Sequence, residues 1–100
     1  MQSTNVRRAA KAGTWYEDDP QKLNAELQGY LDAASKTLPN KPQSKLKAII
    51  GPHAGFTYSG PNAAWAYKNI DPAAYDRVVL LGPSHMLGFP QLAVTGCSTW

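Results

Sequence analysis

The chain has 100 residues, ten basic and seven acidic side chains for a net charge of +3, and one cysteine. That length is room for one small domain, and the mild charge lacks the dense basic stripe of a nucleic-acid binder. No apolar run approaches the ~20 residues of a membrane span, and the lone Cys97 can form no internal disulfide, so nothing points to secretion.

Leu, Ile, Val and Phe together supply only 18 residues, so core-forming side chains are thin for the length. The composition reads as a soluble, intracellular chain. Arg7, Arg8 and Lys11, with no acid before Glu17, have the flavour of a transit peptide, but the Trp15-Tyr16 pair argues against one. A Trp-Tyr pair directly before a helix is costly to leave in water, and burial contributes on the order of 2–3 kcal/mol. Trp15 is therefore expected to pack near the loop that carries His53.

In chain order, Asp19-Pro20 predicts a helix start, with an N-cap and a proline at the first position, where its missing N–H costs nothing. Leu23, Leu27, Tyr30, Leu31 and Ala34 recur at helical spacing as one apolar stripe, closed by Lys36. Two prolines and an asparagine make 38–44 a loop. Leu46–Ile50 reads as a short buried strand ending at Gly51-Pro52. Pro61 is expected to open a second helix through Lys68, with Trp65 and Tyr67 in the core. Arg77–Leu81 is a second strand ending at Gly82-Pro83, and Leu92–Thr95 reads as the start of another. Strand, helix and strand over this length form a βαβ unit, so the expected class is α/β: a partial parallel or mixed sheet with flanking helices.

The two strands end alike, in Gly51-Pro52-His53 and Gly82-Pro83-Ser84-His85. Ligands of open parallel sheets bind at that edge, and two histidines aimed from matched strand ends can share one metal ion. The competing reading, in which each histidine only hydrogen-bonds a neighbouring loop, weighs about as much. A Ser84–His85 dyad is the weaker idea because no G-x-S-x-G elbow surrounds Ser84. Phosphate-cradling loops are weaker still, since neither glycine fingerprint is present. Phe56 and Tyr58, alternating in the loop after His53, are candidates for a pocket wall or for packing under the sheet. Cys97 reads as structural or free rather than as a ligand.

Arg8–Tyr16, with its Ala12-Gly13-Thr14-Trp15-Tyr16 end, resembles the A-G-x-W-Y opening motif of the Memo family, mediators of receptor-tyrosine-kinase-driven cell motility. Pro52–Gly60 resembles its P-H-A-G-[YF]-x-Y-x-G signature, and Gly82–His85 its second histidine motif. Family members are nearly three times as long, so residues 1–100 are expected to be a single partial domain, the N-terminal part of a Memo-like domain. The resemblance implies a fold similar to class III extradiol non-haem iron dioxygenases. It also implies an iron or copper pocket with His53 and His85 as ligands, the third ligand, a cysteine, being absent from this chain. By the same resemblance, Trp15, His53, Tyr58 and His85 contact phosphotyrosine peptides of receptor tails, and the protein is cytoplasmic and nuclear. Three functions stand open: a phosphopeptide-binding adaptor, a metal-dependent redox enzyme, or a truncated product without independent function.

Overall fold

The computed structural model describes residues 5–35 and 46–99. These fall into two compact units, one drawn from the chain's two ends, up to Ala10 and from Arg77, and one spanning Lys11–Asp76. The expected loop at 38–44 and Lys36 lie outside the described residues.

The Lys11–Asp76 unit is built on two helices, α1 (Pro20–Ser35) and α2 (Phe56–Tyr67), that pack against each other. The start of α1 is the predicted one. The Asp19 carboxylate accepts from the amides of Gln21 and Lys22, both at 2.9 Å, and its carbonyl accepts from the Leu23 amide. Two donors that the first turn leaves without helical partners are thereby satisfied. The stripe Leu23, Leu27, Tyr30, Leu31 and Ala34 is half-buried or buried throughout, as its spacing requires.

Helix α2 differs from the prediction in starting five residues earlier, at Phe56, so that Pro61 lies inside it. Proline removes the N–H that would bond the Thr57 carbonyl, and it would normally end the helix before it. The first turn is held instead from below. The Gly55 carbonyl accepts from the Tyr58 and Ser59 amides, and the Ser59 hydroxyl donates to the Ala54 and Gly55 carbonyls at 2.8 and 3.2 Å. Phe56 and Tyr58 are therefore helical residues, not alternating loop residues. Trp65 and Tyr67, expected in the core, are 41% and 50% exposed. At the far end the Asn69 side chain donates to the Trp65 carbonyl at 2.6 Å, closing the helix. A short 3₁₀ turn, Pro72–Ala74, follows, with Asp71 capping it through the Ala73 amide. The Tyr75 hydroxyl then reaches back to the Leu46 carbonyl at 2.6 Å.

The two helices approach closely where Gly60 faces the Tyr30 ring. A Cβ at Gly60 would overlap the ring edge, so only glycine admits this approach. The Tyr30 hydroxyl donates to the Glu26 carboxylate at 2.8 Å, one turn back on α1. That hydrogen bond, then burial, then the Glu26 charge, holds the phenol above its ordinary value of 10.0.

The other unit is held where Asn5–Arg7 runs beside Gly96–Thr99. Val6 and Thr99 form a parallel bridge, Arg7 donates to the Thr99 carbonyl at 2.8 Å, and Ser98 donates to the Asn5 carbonyl at 2.9 Å. Among the described residues there is no β-strand, only isolated bridges. The segments 46–50, 77–81 and 92–95, each apolar, run without a regular ladder, and Ile50 is 97% exposed. A parallel strand takes its hydrogen bonds from neighbouring strands.

Two glycines give opposite expectations. Gly29 has nothing near its missing Cβ, so Gly29→Ala should stabilise α1 by about 1 kcal/mol through helix propensity. Gly60→Ala should destabilise by about 1–2 kcal/mol, because overpacking against Tyr30 outweighs the same propensity gain. Urea melts of both variants check the pair. The phenol gives a pH dependence. A group whose folded pKa lies above its unfolded one lends stability that is complete below the unfolded value and is lost as pH climbs through the folded value. Melts at rising pH should show a parent stability that holds up to about pH 10 and falls above it, with a flatter profile in Tyr30→Phe.

Candidate functional site

The site is built where the segment before α1 meets the start of α2. Residues Lys11–Tyr16 form a tight turn. The Lys11 carbonyl accepts from the Thr14 amide (3.1 Å), the Trp15 amide (2.9 Å) and the Thr14 hydroxyl (3.0 Å), and the Gly13 amide donates to the Tyr16 carbonyl (2.8 Å). Gly13 has φ +77°, a left-handed conformation that residues with a Cβ rarely adopt. The turn folds Lys11 back beside Trp15, and the Lys11 ammonium lies over the indole, 5.4 Å from its centroid.

The carbonyl of Trp15 accepts the Phe56 amide at 2.7 Å, fixing this turn to the first residue of α2. Gly55 lies against the same backbone: a Cβ there would stand 3.3 Å from the Trp15 oxygen and 3.5 Å from its Cα. His53 is thereby set against the indole, ring centroids 5.4 Å apart and planes inclined at 65°. Tyr16 and Phe56 pack beside them at 5.6 Å. Trp15 is half-buried and packs by His53, where the sequence places it. Tyr58, on the first turn of α2, is 83% exposed. A small cleft lined by Gly13, Trp15, Glu17, Asp18, Glu26 and Thr57 flanks the indole, so three carboxylates edge it.

The Memo-like family model matches residues 7–100, nearly the whole chain. The chain belongs to the Memo family. It is similar to Protein MEMO1 of Mus musculus, 42% identical over 89% of this chain and 28% of the relative. Protein MEMO1 of Danio rerio is 43% identical over the same shares, and the Protein memo-1 homolog of Caenorhabditis elegans is 36% identical over 96% of this chain and 26% of its own. The chain thus spans less than a third of the relatives' length. No solved structure matches it.

The Memo motifs fall in both units. The first two carry Trp15, His53 and Tyr58 in the Lys11–Asp76 unit, whereas His85 belongs to the unit of the chain ends. Ser84 beside it donates its hydroxyl to the Leu87 carbonyl at 2.6 Å and accepts the Leu87 amide, which makes it the cap of its own turn. Cys97 is half-buried and lies 3.8 Å from the Asn5 side-chain oxygen. Among the described residues no three His, Cys, Asp or Glu side chains gather into a group able to hold a metal. Two imidazoles alone leave a coordination sphere of iron or copper incomplete. None of the described helices is long and apolar enough to cross a membrane.

Sequence reasoning passes over two members of this site, Lys11 and Gly55. The signal for Lys11 is its place four residues before Trp15 across a glycine. For Gly55 no spacing announces how closely two backbones approach. Gly55→Ala should push the His53 loop off Trp15 and cost about 1 kcal/mol. NMR contacts between the Trp15 indole and the His53 ring, weakened in the variant and intact in the parent, would check this.

Proposed function

We propose that the chain supplies the aromatic and imidazole surface of a phosphotyrosine-peptide-binding adaptor in cell-motility signalling. The observation that carries the reading is the Trp15–His53 pair, fixed through the Phe56–Trp15 hydrogen bond. Phosphotyrosine offers an aromatic ring and a phosphate of charge near −2. An indole provides a face for the ring, and an imidazole N–H within the same contact donates to phosphate oxygen. Tyr58, exposed on α2, is a second aromatic wall. His85 enters as a further donor through the family resemblance, as do the receptor-tail peptides and the cytoplasmic and nuclear location. The α/β fold with a His53–His85 metal pair is likewise proposed for the whole Memo-like domain.

The test is binding of a short fluorescent peptide with one phosphotyrosine, set against its unphosphorylated twin. Preference for the phosphorylated peptide is expected, with a loss of about tenfold or more in Trp15→Ala and in His53→Ala. Equal affinity for both peptides would overturn the reading.

A further inference from the structure

We propose that Lys11 is a specificity-determining residue of this site, supplying the phosphate-directed charge beside Trp15 and His53. The inference rests on the phosphotyrosine reading and adds to it a residue that neither the motifs nor the comparisons assign.

Three observations carry it. First, the Lys11 ammonium and the His53 ring each stand 5.4 Å from the indole centroid, so Trp15 carries a cation and an imidazole as immediate neighbours. Second, the placement is built. Three hydrogen bonds to the Lys11 carbonyl and the left-handed Gly13 hold the Lys11 backbone beside Trp15. The cation–π contact then lowers the freedom of a side chain that would otherwise sweep through water. Third, the cleft that Trp15 helps to line is edged by Glu17, Asp18 and Glu26, charges of the wrong sign for an anion. Without a cation over the ring, a phosphate on Trp15 would face those carboxylates with only the imidazole opposing them. Lys11 sets one positive charge against them at close range, where exposed charges are least screened. An ammonium brings three rotatable donors, so it can follow the phosphate while its stem remains on the indole.

The ligand class is thus an aryl phosphate: the ring on Trp15, the phosphate between Lys11 and His53. The experiment titrates the full chain with phenyl phosphate and with phenol, following the Trp15 indole N–H resonance, in the parent, Lys11→Met, Lys11→Arg, Trp15→Leu and His53→Gln. Methionine keeps much of the stem and deletes the charge. Lys11→Met should bind phenyl phosphate about tenfold more weakly, phenol unchanged, with affinity less sensitive to salt. Lys11→Arg should restore the affinity to within about twofold, because guanidinium also stacks on indole and donates to phosphate. A purely structural role for Lys11 would weaken phenol and phenyl phosphate alike. If Lys11→Met matches the parent while Trp15→Leu and His53→Gln lose binding, Lys11 is overturned and the phosphotyrosine site stands. If the parent does not prefer phenyl phosphate to phenol, both fall.

Discussion

One hydrogen bond organises the Lys11–Asp76 unit, the 2.7 Å bond from the Phe56 amide to the Trp15 carbonyl. It joins a turn before α1 to the first residue of α2, about forty residues later in the chain. The Phe56 amide is one of the donors a helix start leaves open, and Trp15 satisfies it without a side-chain cap. That bond brings the Gly55 backbone against Trp15, and a residue with a Cβ would contest the contact. The His53 ring reaches the indole because of that closeness. The Tyr16–Phe56 ring pair then adds an apolar contact beside the polar one.

The legible parts of this chain were those dictated by local chemistry. Asp19-Pro20 specified the start of α1, the stripe from Leu23 to Ala34 specified its buried face, and the Trp15-Tyr16 pair announced a packed contact. Pro61 misled because proline at a helix start and proline inside a helix look alike in sequence. The difference lies in Ser59, whose hydroxyl secures the turn ahead of it. Trp65 and Tyr67 mislead because aromatic content does not itself specify burial, and helical phase leaves both half out in water. The apolar segments 46–50 and 77–81 show what periodicity leaves open: a strand is a property of a pair, and an apolar run does not name its partner.

The buried apolar residues among those described, Ala34 and Ala64, are small, and no large side chain there is fully buried. Small residues let α1 and α2 approach closely, and Gly60 extends that logic to its limit at Tyr30. Such contacts define geometry well while withdrawing little apolar area from water, so burial supplies modest stability. Val78, Val79, Leu80 and Leu81 remain 70–86% exposed, which adds nothing to the core and presents unpaired apolar backbone.

Thin burial and a well-defined site are compatible because the site draws on short-range bonds. Its turn closes through the Lys11 carbonyl and a left-handed glycine, its helix start through Ser59 and Gly55, and its two halves through one backbone bond and two ring pairs. None of these needs a completed sheet. A metal pocket would impose the opposite requirement, because three or more ligands from separate segments must be held at bonding distance by the surrounding fold. The aromatic and cationic surface around Trp15 is therefore the part of a Memo-like domain that the Lys11–Asp76 unit can organise with its own bonds.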